Sequence, residues 1–230
     1  MSGYMPPTIA ILGGTGAEGS GLALRFAHAG AAVRIGSRDL GKARAAAARI
    51  LETRPRGTVE GRLNADACEG AAVVVLTVPV QAQIATLKSV RGKLTAGTVL
   101  VDATVPLEIA VGGRLSHPLS LWAGSAAEQA ARQAPEGVRV VAAFHCLSAE
   151  LLGELGRPLD CDVLICGDDT EAKALVAGLA GLIPGTRPID AGPLENARMV
   201  ENLAALLVSL NLRHKTRHAG VRITGLEPGS

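Results

Sequence analysis

A glycine-rich turn between an apolar run and a helix-like stretch restricts this chain more than any other feature. Ile9–Leu12 leads into Gly13-Gly14-Thr15-Gly16-Ala17-Glu18-Gly19, and Ser20–Ala29 follows. Gly14, Gly16 and Gly19 fit the spacing G-x-G-x-x-G. A strand that turns sharply into a helix needs glycine where the backbone bends and where it must approach a ligand closely. The amides of such a loop, with the helix N-terminus behind them, attract a pyrophosphate. The order of strand, loop and helix predicts a dinucleotide site within the first thirty residues.

The rest of the chain carries the same architecture forward. Thr8–Leu12, Ala32–Gly36, Ala71–Val78, Thr98–Val101 and Val138–Ala143 read as strands. The run Ala-Ala-Val-Val-Val-Leu-Thr-Val is apolar throughout, as in a parallel strand covered on both faces. Ala17 to about Gly30, Leu40–Leu51 and Gln81–Val90 read as helices between them. The alternation predicts an α/β fold, a doubly wound parallel Rossmann sheet over residues 1–145. Gly112–Ser125, with the only tryptophan, Trp122, reads as a loop. Beyond His145 the pattern changes to strand Asp162–Cys166, helix Thr170–Leu182, strand Thr186–Asp190 and a long helix Leu194–Thr216. Residues 146–230 are expected to form a small C-terminal α/β domain. In the long helix, Met199, Leu203, Leu206, Leu207 and Leu210 make an apolar face, which suggests a homodimer.

The end of the second strand selects the nucleotide. An acidic residue there would hydrogen-bond the free ribose hydroxyls of NAD, whereas a 2′-phosphate needs donors and positive charge. Here the strand runs into Gly36-Ser37-Arg38, with Lys42 one helical turn on. A hydroxyl, a guanidinium and an ammonium favour NADP, although Asp39 stands beside them. Ligands bind beyond the carboxyl ends of such strands, so Thr77-Val78-Pro79 (with Val80 next) and Thr104-Val105-Pro106 are expected to flank the nicotinamide half.

Other chemistries find little support. The only tyrosine, Tyr4, precedes the first strand, which excludes a tyrosine–lysine dehydrogenase mechanism. No carboxylate cluster or His-Glu-x-x-His motif suggests a metal. Glu195 and Glu201 read as surface or helix-start charges. Cys68, Cys146, Cys161 and Cys166 form no Cys-x-x-Cys pair and read as reduced structural thiols. A net charge of +2 and 2% aromatic content point to neither nucleic acid nor an anionic membrane. Met1–Pro7 lacks a leader's basic and apolar regions, so a cytoplasmic protein is expected. His145, after the strand Val138–Ala143, is either a proton or hydrogen-bond donor in the site or a hinge histidine. A dinucleotide site with so little acid–base machinery suits hydride exchange with a second redox cofactor.

These residues together resemble the NADPH:coenzyme F420 oxidoreductases, the F420-dependent NADP reductases. The resemblance covers most of the chain: Ile11–Gly16, Ile35–Arg38, Val75–Pro79, Ser125–Glu128 and Ala143–His145. Its most specific parts are Val163-Leu164-Ile165-Cys166-Gly167-Asp168-Asp169 and Pro188-Ile189-Asp190-Ala191-Gly192-Pro193-Leu194. The resemblance implies that Thr15, Gly16, Ala17 and Glu18 line the pyrophosphate loop and that Ser37, Arg38 and Lys42 take the 2′-phosphate. Val80, Ile84, Ala149 and Ala219 match further positions near NADP, and His145 and Leu147 match positions near the deazaflavin. It also implies a small C-terminal domain that helps close the site, and direct, reversible hydride transfer between nicotinamide C4 and deazaflavin C5 without a metal. Two other functions keep the same fold: an NADPH-dependent reductase of a flavin or small organic substrate, and a non-catalytic NADP-binding redox module.

Overall fold

The first strand, β1 (Ile9–Leu12), is fully buried and lies between β2 (Val33–Ser37) and β4 (Val73–Leu76), parallel to both. The computed structural model describes residues 7–226, so Tyr4 and nearly all of the Met1–Pro7 segment lie outside the described residues. The remaining strands are β3 (Val59–Leu63), β5 (Val99–Asp102), β6 (Arg139–Ala142), β7 (Cys161–Gly167) and β8 (Thr186–Asp190). They form one eight-stranded sheet in the order β3-β2-β1-β4-β5-β6-β7-β8. The first six strands are parallel, β7 runs antiparallel to β6, and β8 is parallel to β7. The chain order reverses between β1 and β4, and the crevice beyond their carboxyl ends is where such a sheet binds ligands.

The helices are α1 (Ala17–His28), α2 (Leu40–Glu52), α3 (Asn64–Cys68), α4 (Val80–Val90), α5 (Ala126–Gln133), α6 (Ala149–Gly153), α7 (Thr170–Gly181) and α8 (Ala197–His214). Short polar side chains fix several of their starts. Asp39, Ser125, Ser148 and Asp169 accept the N–H groups of Lys42, Glu128, Leu151 and Ala172, which would otherwise lack acceptors. Among the described residues no helix is long and apolar enough to cross a membrane. All four cysteines are free and buried.

The expected division at residue 145 falls where the sheet changes direction. The strands beyond it extend the first sheet, and one apolar core runs across the junction from Ile9 and Phe26 to Ile165 and Val200. Two elements absent from the sequence reading, β3 and α3, lie between α2 and β4. The expected long C-terminal helix begins as a 3-10 turn at Leu194–Asn196 before α8 proper. Its inward residues are Ala197, Val200, Glu201, Ala204, Ala205 and Leu207. Of the apolar face read from the sequence, only Leu207 is buried; Met199, Leu206 and Leu210 point outward.

Candidate active site

The glycine loop shows why its residue types are required. Gly13 has φ +83°, a conformation that side chains disfavour. A Cβ on Gly19 would lie 2.5 Å from the Thr77 hydroxyl and 2.7 Å from the Gly13 carbonyl. The loop is therefore packed against the end of β4, where the Thr77 N–H and hydroxyl both donate to the Leu12 carbonyl, at 2.9 and 3.0 Å. The first-turn N–H groups of α1 have no intrahelical acceptor and face this crevice with the positive end of the helix.

A cavity of about 370 Å³ opens over the loop. It is lined by Gly13, Thr15 and Gly16, by Ser37, Arg38 and Lys42, and by Thr77, Val78 and Pro79. Three separate segments of the sequence reading thus meet at one site. Asp39 also lines it, but its carboxylate accepts the Lys42 backbone N–H at 3.1 Å and so serves as the cap of α2. Asn64 and Thr86 join the lining without having been singled out. Gly14 packs beneath the loop, where a Cβ would lie 2.9 Å from the Ile11 carbonyl. Val80 is buried at the start of α4, and Ile84 is on its exposed side. Neither of them lines this cavity.

A second cavity, of about 610 Å³, lies between the segment after β6 and α8. It gathers Ala17, His145, Leu147, Ala149 and Ala219 from the expected set, together with Asn211 and Thr216. Ala17 stands at the start of α1, immediately after the phosphate loop, so the two cavities flank the same helix start. His145 reaches its place through an unusual turn. The preceding Phe144 has φ +74°, and its ring is buried edge-on against Phe26, with centroids 6.0 Å apart. That packing offsets the cost of a left-handed conformation in a bulky residue.

Thr104 does not line either cavity. Its N–H and hydroxyl donate to Asp102 at 3.0 and 3.3 Å. Asp102 also accepts from Gln83 at 2.7 Å, and Gln129 donates to Gln83 at 2.7 Å. Glu201 is only 3% exposed, which corrects its reading as a surface charge. Its two oxygens accept the N–H groups of Ala126 and Ala127 at 2.9 and 3.2 Å, capping α5 from another helix. Asp102, His145 and Glu201 form a buried cluster, so the expectation that no carboxylates gather is also corrected. Burial pushes the carboxyls up, Asp102 to about 7 and Glu201 to about 8, and pushes His145 down to about 4. Glu18 is also raised to about 8, first by burial and then by the Asp102 charge. Its Oε1 atom is buried without a hydrogen-bond partner. The chain therefore has more acid–base machinery than its motifs suggested. A charged residue ending the otherwise apolar strand Val-Leu-Val-Asp was the available signal.

The two most distinctive C-terminal segments line neither cavity. They join to one another. Asp168 accepts the Leu194 N–H at 2.9 Å, Gly167 donates to the Gly192 carbonyl at 3.0 Å, and Lys173 reaches Asp190 at 2.7 Å.

Comparison with known proteins follows the same lines. The pattern of the family described as NADP oxidoreductase, coenzyme F420-dependent, matches residues 8–106. An F420-dependent NADP reductase of Methanothermobacter thermautotrophicus is 51% identical over 95% of this chain and 95% of its own. That of Methanocaldococcus jannaschii is 40% identical over 95% of this chain and 99% of its own. A crystal structure from Arthrobacter sp. FB24, assigned as an F420-dependent NADP reductase, superposes with a TM-score of 0.78 at 31% identity. It covers 94% of this chain and 98% of that one.

Proposed function

This chain belongs to the F420-dependent NADP reductases, and from that premise we propose that it transfers a hydride reversibly between NADP(H) and the deazaflavin coenzyme F420. It is an oxidoreductase with a Rossmann sheet, and both partners are small-molecule substrates that come and go. The observation that carries the reading is the meeting of the glycine loop with Ser37, Arg38 and Lys42 around one cavity. The loop suits a pyrophosphate, and the basic pair suits a 2′-phosphate.

In this reading Gly14, Thr15, Gly16, Ala17 and Glu18 form the backbone of the pyrophosphate loop, and Ser37, Arg38 and Lys42 hold the 2′-phosphate. Thr77, Val78, Pro79, Val80 and Ile84 lie along the nucleotide, with Ala149 and Ala219 on the far side. His145 and Leu147 face the deazaflavin. The position of His145 and Leu147 on the second cavity supports a deazaflavin seat beside the start of α1, with Ala149 and Ala219 on the same wall. Residues 146–230 close the cleft over both. A homodimer in the cytoplasm completes the reading. It draws support from the outward apolar residues Met199, Leu206, Leu210 and Leu212 of α8, and a monomer in sedimentation would remove the dimer.

The test is direct. The protein is mixed with NADPH and oxidised F420, and the visible absorbance of the deazaflavin is followed. Bleaching is expected. NADPH binding without bleaching would overturn the reading, and bleaching of FMN alone would move the chain to the flavin reductases.

A further inference from the structure

Behind the second cavity, three elements bring two acids and a histidine together, and among the described residues no lysine or arginine pairs with either acid. Asp102 ends β5, His145 follows β6, and Glu201 projects from α8. One ligating atom from each lies within 4.8 Å of the other two, and the residues are 0%, 7% and 3% exposed. Asp102 is held by Gln83 and Thr104, and Glu201 by the backbone of Ala126 and Ala127. All of these are neutral donors. Two buried carboxyls within 4.8 Å of one another and without a paired cation resist ionising together, so at rest the pair retains a proton.

The surroundings make that retention stronger. The charge of Glu128 on α5 raises Glu201, while Glu18 of α1, itself raised to about 8 by burial and then by Asp102, offers no counter-charge. Arg198, three residues before Glu201 on α8, is taken by Glu128 in a two-point contact at 2.6 and 2.8 Å. The thiol Cys146 faces Glu18, and Cys166 of β7 faces Glu201; burial raises both thiols, so they add no charge. His145 is the odd member. Both its ring nitrogens are buried and lack a partner among the described residues, while the residue itself forms part of the cavity wall. Burial keeps the ring neutral, so one nitrogen can accept a proton while the other donates one.

We propose that Asp102 and Glu201 form a paired buried acid that holds a proton for the reaction and moves it through the His145 ring to the cleft. This rests on the reading of hydride exchange with a deazaflavin. In that exchange the nicotinamide C4–H bond breaks, its electron pair and hydrogen pass to deazaflavin C5, and the reduced deazaflavin takes one further proton on a ring nitrogen. The acid pair loses that proton to one nitrogen of His145, and His145 releases one from the other. The pair is left with one more negative charge until the His145 ring returns a proton from the cleft side. In the opposite direction the same groups take the proton back. Asp102 and Glu201 act through His145 rather than on the substrate.

The full-length protein and the variants Glu201→Gln, Asp102→Asn and Glu201→Asp provide the test. Without any substrate, infrared spectra of the wild type should show a protonated-carboxyl band at neutral pH. That band should be lost or shifted in Glu201→Gln and Asp102→Asn and kept in Glu201→Asp. With substrates, F420 reduction should slow as pH rises through the neutral range, and NADP reduction should slow as pH falls through it. In Glu201→Gln and Asp102→Asn, kcat for F420 reduction should drop about tenfold or more and this pH limb should disappear, with NADPH affinity retained. Glu201→Asp should restore the limb. A wild type without a protonated carboxyl at neutral pH, or variants with the wild-type limb, would overturn the proposal. If Glu201→Gln does not fold, Asp102→Asn and the wild-type infrared titration decide. If the wild type reduces no F420 at any pH, the functional reading fails, and the infrared result still judges the acid pair.

Discussion

The guanidinium of Arg25, in the last turn of α1, donates to the Leu152 carbonyl of α6 at 2.9 Å. The same group also reaches the carbonyls of Leu151, Glu154, Leu155 and Arg157. Arg25 is 3% exposed, and next to it a Cβ on Gly21 would lie 2.5 Å from the Leu152 side chain. A fork of donors thus gathers the carbonyls at and just beyond the end of a five-residue helix, where those of Leu151 and Glu154 each also accept a backbone N–H of the local turn. The segment so held is the one that carries Ala149 on the second cavity.

Arg25→Ala should therefore loosen this wall. It removes the side-chain donors of the buried Leu152 carbonyl and of the part-buried Leu155 and Arg157 carbonyls, at a cost of about 3 kcal/mol. For a chain of this size the melting temperature should drop by roughly 6–12 °C in a calorimetric scan. A drop within error of zero would show that the carbonyls find other donors.

Arg38 lies exposed at the rim of the first cavity, and its contribution should be specific to one nucleotide. Arg38→Ala should raise KM for NADPH about tenfold or more while changing KM for NADH little, since a charged contact to the 2′-phosphate is lost. Steady-state kinetics with both nucleotides measure this. Equal effects would mean that Arg38 does not read the phosphate.

Asp162 links the C-terminal segment to the sheet and should do so in a pH-dependent way. It is fully buried on β7 and accepts from Arg187 at 2.9 and 2.8 Å, from Arg222 at 2.9 Å and from the Ile223 N–H at 2.7 Å. The Arg187 hydrogen bonds, against the cost of burial, bring its carboxyl down to about 2. A depressed value stabilises the fold above the ordinary carboxyl range, and the effect is lost as pH falls through about 2. Its size is about 2 kcal/mol. Urea unfolding should therefore show Asp162→Asn well below the wild type near neutrality, with the gap closing towards about pH 2. A gap independent of pH would refute the charge's role.

Much of the fold was legible because it rests on local rules. Val73–Leu76 is buried on both faces and so reads as part of a continuous apolar run. β3 was missed because Val-Glu-Gly-Arg-Leu is an edge strand with few apolar positions. Its Gly61 is needed where the Ala43 backbone of α2 crosses it too closely for any side chain. The outward turn of Met199, Leu206 and Leu210 was hidden for another reason. Helical periodicity identifies apolar stripes, but it does not choose which of two stripes meets the core.

The sequence by itself determined the glycine loop, the basic corner at the end of β2 and the alternation of strands and helices. Each of these is a property of neighbouring residues, set by backbone sterics, side-chain charge and hydrophobic period. Only the tertiary structure decided that the Cys-Gly-Asp-Asp and Asp-Ala-Gly-Pro-Leu segments form a joint, and that Asp102, His145 and Glu201 share one buried site. A carboxyl far along the chain has no intrinsic role. Glu201 gained one when the sheet brought α8 against the free N–H groups of α5, in a place where water cannot reach it.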